Sequence, residues 1–243
     1  MEHLIFYVLT YYIVEYKTER FTYKVPRCEY VNAKKSALDG GFVIALIAIL
    51  TLVYILGLGD FLSELNDMNV FLIQCFFDLL IIVIVISAVV YRKENLRCIG
   101  IMKQDLLKSC ILGTSLGILF FILCIILAPD NYSFEIISVR SLLSLIEFSF
   151  VGFAEEISFR GYLQSRLIAW KGIQKGVWIT AIVFSFWHLP VNLVFKGIGM
   201  ENAIFSCILL IPLSLLLGHI MLKTRNIAAV VILHTIMDWV MNT

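Results

Sequence analysis

Long apolar runs separated by short charged clusters make up most of the chain. Seven of them approach the roughly 20 residues that a helix needs to cross the hydrocarbon core of a bilayer: Gly41–Leu58, Val70–Tyr91, Cys110–Ala128, Leu142–Phe159, Val177–Phe195, Ala203–Leu222 and Ile227–Met241. Helices are the expected form, because a segment in lipid must bond its own backbone groups. The pattern therefore predicts an all-α, polytopic transmembrane helical bundle of seven spans. Pro190 and Pro212 fall inside two of the runs and predict kinks there. Ahead of the first span, Leu4–Val14 is apolar and aromatic but short, and it lacks the basic flank of a signal peptide. With Tyr7, Tyr11, Tyr12 and Tyr16 it reads as an interfacial or tilted helix, an eighth span within residues 1–16 being the alternative.

The charged clusters alternate in basic content. Lys17, Arg20, Lys24, Arg27, Lys34 and Lys35 precede the first span, and the next loop holds Asp60, Glu64 and Asp67 with no basic residue. Arg92, Lys93, Arg97, Lys103 and Lys108 follow on the first side, Arg140 alone on the second, and Arg160, Arg166, Lys171 and Lys175 on the first again. Lys196 lies on the second side, Lys223 and Arg225 on the first. By the positive-inside rule the segment before the first span is cytoplasmic and the C-terminus lies outside.

Composition agrees with this reading and excludes a soluble domain: 60% of the 243 residues are hydrophobic, 15% are charged, and the mean hydropathy is +0.93. A formal net charge of +1 gives no reason to expect a nucleic-acid partner. The six cysteines form no C-x-x-C pair and read as apolar fillers and free thiols.

Ionisable groups inside a span cost roughly 2.5 to 3.5 kcal/mol each on insertion scales, so each needs a reason. The fourth run carries Glu155, Glu156 and Arg160. Glu156 and Arg160, four apart, can pair on one helix face. Glu155 points elsewhere and is left without a local cation, which suits a general base. Phe184 and His188 share a face of the fifth run, as His234 and Asp238 do in the seventh, where a carboxylate could orient an imidazole. His219 lies near the interface and reads as structural, while Asp78, one turn from Gln74, could pair or line a cavity.

Depth brings the three runs together. Counted from the nearest basic marker at about 1.5 Å per residue, Glu155 lies roughly 16 Å in from Arg166, His188 roughly 20 Å from Lys175 and His234 roughly 14 Å from Arg225. All three fall near the middle of a hydrocarbon core about 30 Å thick.

Glu155-Glu156-x-x-x-Arg160, Phe184-x-x-x-His188 and His234-x-x-x-Asp238 on successive helices resemble the motifs of the CAAX-processing and bacteriocin-processing (CPBP, or Abi) family of intramembrane endopeptidases. The type member of that family removes the last three residues of prenylated CAAX proteins. The resemblance implies a CPBP/Abi-like catalytic core over residues 136–243; nothing before residue 140 contributes to it, and the apolar runs leave accessory transmembrane helices over 41–135 and an interfacial or cytoplasmic segment over 1–40. It implies further that Glu155 and His188 activate a water, that His234 and Asp238 form the opposing wall, and that Glu156, Arg160 and Phe184 support them. The family is described both as metal-dependent and as glutamate-dependent, so His188, His234, Asp238 and Glu155 could hold a divalent metal such as zinc, or the site could work without one. The zincin signature His-Glu-x-x-His is absent.

The expectation is thus a membrane protease with a water-filled cavity among its last four spans. Its substrate would be a membrane-associated or lipidated peptide or protein, and its setting a bacterial plasma membrane. A non-enzymatic bacteriocin self-immunity protein of the same fold is the alternative. A small transporter or proton relay is a third reading, against which the chain shows no inverted repeat.

Overall fold

The computed structural model describes residues 32–127 and 138–242, so the helix expected within residues 1–16 lies outside the described residues. Among the described residues every regular element is helical. Helices α1 (Ala33–Ser63) and α2 (Asp67–Tyr91) each begin at an asparagine. Asn32 Oδ1 accepts from the Lys35 N–H and Asn66 Oδ1 from the Asn69 N–H, both at 2.9 Å, which satisfies donors that the helix itself leaves unpaired. A 3-10 turn (Leu96–Ile99) leads to α3 (Leu106–Leu127).

The next helix is the longest in consequence. α4 (Val139–Glu156) continues through a π-helical segment (Ile157–Gln164) into α5 (Ser165–Lys171), and Gly172, at φ +83°, ends it. Then come α6 (Ile173–Trp187), α7 (Leu189–Val194), α8 (Met200–Thr224) and α9 (Ile227–Asn242).

Five stretches are long and apolar enough to cross a membrane: Ala33–Gly57, Asp67–Tyr91, Leu106–Leu127, Ile173–Val194 and Met200–Thr224. The fourth apolar run of the sequence lies in the 139–171 helix, which is too rich in charge to join that set, and the seventh is the 16-residue apolar α9. Large side chains face outward, with Phe42, Leu56 and Phe76 each 70% exposed, a surface suited to lipid rather than water. Pro190 does not kink a continuous helix, as expected, but opens a new one: α6 stops at Trp187, and the proline sits in the first turn of α7, where its missing N–H has no partner to lose. Pro212 does lie inside a helix, α8.

α9 packs against α3 and α4, α6 against α5 and α8, α2 against α4, and α1 against α5. The approach of α3 to α9 requires Gly113, where a Cβ would come within 2.6 Å of the Ala229 carbonyl oxygen.

At the end of the bundle that carries the basic loops, the charges are locked together. Arg166, fully buried, pairs with Glu94, donates from Nη1 to the Tyr162 carbonyl at 3.0 Å, and holds its Cζ 3.4 Å from the centre of the Tyr162 ring. Arg92 pairs with Asp39. Asn226 Nδ2 donates to the carbonyls of Met102 at 2.8 Å and Gln104 at 3.1 Å, tying the loop before α3 to the α8–α9 turn. Cys75, Cys110, Cys124 and Cys207 are free thiols, but Cys98 is disulfide-bonded, which corrects the reading of all six as free. Sequence spacing alone does not reveal such a pairing, since it depends on distance in the fold.

Candidate active site

Glu155 and Glu156 are the last residues of α4, just where the helix passes into its π segment, a feature that recurs at functional sites. Glu156 is fully buried, and its Oε1 lies 2.9 Å from Arg160 Nη1 in an ion pair that is not aligned as a hydrogen bond. Arg160 donates from Nη2 to Ser214 Oγ on α8 at 2.9 Å, and its Cζ sits 3.9 Å from the centre of the Phe184 ring. The aromatic residue of Phe184-x-x-x-His188 therefore covers the guanidinium face, where a cation is stabilised by the ring.

The same Glu156 Oε1 accepts from His234 Nδ1 at 2.8 Å. Arg160, Glu156 and His234 thus form one chain of contacts across α4, the π segment and α9. The carboxylate that orients His234 through Nδ1 is Glu156 from another helix. Asp238, one turn away on α9, lies on the other side of the ring, its Oδ2 3.4 Å from Nε2.

His188, at the break between α6 and α7, has its Nδ1 3.0 Å from the Phe184 carbonyl oxygen. A carbonyl can only accept, so Nδ1 carries the hydrogen and, in the neutral ring, Nε2 is left as an acceptor. By the same reasoning His234, donating from Nδ1 to a carboxylate, presents Nε2 as an acceptor. Both Nε2 atoms face Glu155: His188 Nε2 is 3.9 Å from Oε1 and His234 Nε2 is 3.7 Å from Oε2. Glu155 Oε2 is buried and has no hydrogen-bond partner among the described residues. Acceptors on three helices are therefore turned toward one another across a gap.

Glu155, His188 and Asp238 line a cavity of about 320 Å³. Its opposite wall comes from α1 and α2, through Thr51, Tyr54, Gln74 and Asp78. This corrects the expectation of a cavity confined to the last four spans, since helical periodicity does not say which helices become neighbours. On that wall Tyr54 donates to Gln74 Oε1 at 2.9 Å and Gln74 Nε2 donates to Asp78 Oδ2 at 3.1 Å. Gln74 and Asp78 had a signal, as polar residues one turn apart in an apolar run, whereas Tyr54 and Ser214 had none. His219 does not line the cavity and bonds the Leu215 carbonyl through Nδ1 at 3.1 Å.

The donor types, two imidazoles and two carboxylates with each imidazole held at its other nitrogen, are those of divalent metal sites. Among the described residues, however, no three such groups are gathered closely enough to hold a metal ion.

The family model for type II CAAX prenyl endopeptidase Rce1-like proteins matches residues 138–240. No curated protein and no solved structure matches the chain. The matched region runs from the start of α4 into the last turn of α9 and contains Glu155, Glu156, Arg160, Phe184, His188, His234 and Asp238. With its long lipid-suited helices, this is an integral membrane protein whose region 138–240 matches the family model of the type II CAAX prenyl endopeptidase Rce1-like proteins, a protease family.

Proposed function

We propose that the chain is a seven-span endopeptidase of a bacterial plasma membrane, with its first basic segment cytoplasmic and its C-terminus outside. It hydrolyses a peptide bond in a membrane-associated or lipidated peptide or protein, with Glu155 and His188 activating the water. The observation that carries this reading is the set of mutually facing acceptors, Glu155 Oε1 with His188 Nε2 at 3.9 Å and Glu155 Oε2 with His234 Nε2 at 3.7 Å. Acceptors so placed call for a donor between them. A water about 2.8 Å from each of Glu155 Oε1 and His188 Nε2 fits that separation, because two such bonds can span up to about 5.6 Å.

Glu155 takes a proton from this water as the oxygen attacks the carbonyl carbon of the scissile bond. The tetrahedral intermediate forms in the gap walled by His234, whose ring Glu156 orients through Nδ1, and by Asp238. Glu155 then passes its proton to the departing nitrogen, the C–N bond breaks, and a carboxylic acid and an amine are released. The apolar surroundings exclude bulk water, so the fixed charges act at low dielectric.

Replacing Glu155 by Gln in membranes supplied with a peptide substrate is the test: cleavage is lost, and unchanged cleavage ends the proposal. Metal analysis of the purified protein, with cleavage measured after chelation, decides between this water and one held on a metal by His188, His234, Asp238 and Glu155. In a bacteriocin-protection assay, protection that survives substitution of Glu155, His188 and His234 would establish the self-immunity alternative.

A further inference from the structure

A second cavity, of about 720 Å³, shares no lining residue with the first. On α4, Phe153 lines it, while Glu155, about 200° further round the helix, lines the other. On α9 it is lined by Ala228, Val231 and Ile232, just ahead of His234. Its size falls within the roughly 300 to 1,000 Å³ of sites that hold small molecules. The two cavities differ in charge. The first sets the carboxyl groups of Asp78, Glu155 and Asp238 against the single cation Lys196, whereas the second carries Arg97 and Lys103 and no acidic residue.

The carboxylates nearest to these two cations in the chain are taken, Glu94 by Arg166 and Asp105 by Lys108. Arg97 and Lys103 are exposed and form no ion pair among the described residues. The backbone between them is fixed. Gly100 takes φ +82°, its carbonyl accepts from the Ile227 N–H at 3.0 Å, and a Cβ there would meet Met221 Cε and Ile227 N. With Asn226 bonded to the carbonyls of Met102 and Gln104, the loop that carries both cations is fastened to the start of α9. Facing them, Leu106, Phe153, Val231 and Ile232 make an apolar wall. Leu106 is 43% exposed, and Leu107 and Ile111 beyond it on α3 are 74% and 58% exposed, so this wall adjoins surface suited to lipid.

We propose that this second cavity binds an anionic phospholipid. Arg97 and Lys103 hold the phosphate, and an acyl chain lies against Leu106, Phe153, Val231 and Ile232. Basic pockets between membrane helices take acidic head groups in this way, and a guanidinium can give a phosphate two parallel hydrogen bonds. A free anion would leave the apolar wall unused, and a wholly apolar molecule would leave the two cations uncompensated. The bound lipid joins the 95–106 loop to α4 two residues before Glu155 and to α9 three residues before His234, and so braces the helices that carry the site. The proposal stands on this cavity alone and does not rest on the peptidase reading.

The test is titration of the full-length protein in detergent with phosphatidylglycerol or with phosphatidylcholine of the same acyl chains, with bound lipid counted by native mass spectrometry. One phosphatidylglycerol should be retained per chain, about tenfold more tightly than phosphatidylcholine, in keeping with two charge-assisted contacts. Arg97→Gln combined with Lys103→Gln should abolish the preference. Lys34→Gln combined with Lys35→Gln removes the same charge from exposed residues outside the cavity and should leave it intact, as should the charge-keeping pair Arg97→Lys with Lys103→Arg. In the wild-type chain, phosphatidylglycerol with a photoreactive acyl chain should crosslink within residues 101–106 or 228–232. Equal retention of the two lipids, equal loss in both Gln pairs, inorganic phosphate binding as tightly as the lipid, or crosslinks confined to other segments would each overturn the proposal. None of these readouts is cleavage, so they hold whether or not Glu155→Gln abolishes activity.

Discussion

Two sets of charged side chains sit on the 139–171 helix about three turns apart. At the lower end Arg166 has Glu94, the Tyr162 carbonyl and the Tyr162 ring as partners and is wholly buried. At the upper end Glu155 has no direct hydrogen bond to its unpaired oxygen, stands 3.7 and 3.9 Å from two imidazoles, and faces a cavity. Both carry charge into an apolar bundle at similar cost. The lower set is filled and holds helices together, while the upper set faces the cavity where we place the chemistry.

The sharpest way to break this comparison is to exchange the upper carboxylate. Glu155→Gln keeps the shape and should lower the cleavage rate by about a hundredfold to ten-thousandfold, the range for a general base, with the unfolding midpoint in detergent unchanged. A loss of fold would place Glu155 with the structural set.

Arg166→Ala should do the reverse. Removing one partner of a buried pair strands the other, at a cost of roughly 3 to 5 kcal/mol, seen as a lower unfolding midpoint before any change in the turnover of the protein that remains folded. Ser214→Ala should lie between the two, because it takes the hydrogen bond from Arg160 Nη2 but leaves the contact with Glu156. A stability loss of about 1 to 3 kcal/mol follows from the unsatisfied buried donor, accompanied by a fall in turnover if Arg160 positions His234 through Glu156. The smallest effect belongs to the exposed pair Lys108–Asp105 at 3.1 Å. Lys108→Ala should change stability by less than about 1 kcal/mol, since solvent screens such pairs, and leave cleavage as it was.

The elements most legible in the sequence are those that lipid dictates. Apolar length and the absence of charge located five helices that could cross a membrane. Boundaries were less legible: α1 starts at Ala33 and not near Gly41, because Asn32 caps a turn that is helical yet polar. Within the site, contacts along one helix could be read from spacing, as Glu156 with Arg160 and His234 with Asp238 illustrate. Contacts between helices could not. That Glu156 Oε1 serves Arg160 and His234 together, that Ser214 completes Arg160, and that Tyr54 and Asp78 face Glu155 across a cavity all depend on how helices rotate about their axes when they pack. Periodicity leaves that rotation undetermined.

The π segment Ile157–Gln164 bears on that rotation. Its i→i+5 bonding makes a wider turn than the α-helix on either side, so the stretch ending at Glu156 and the stretch beginning at Ser165 are out of phase as parts of one ideal helix. Deleting a single residue there would swing one stretch against the other by about 100°. Glu156 could then keep His234, or Arg166 could keep Glu94, but not both. The irregular turn works as a mechanical offset that lets one continuous rod fit two sockets cut at different angles, and a chain with a regular helix in its place would have to surrender either the anchor or the site.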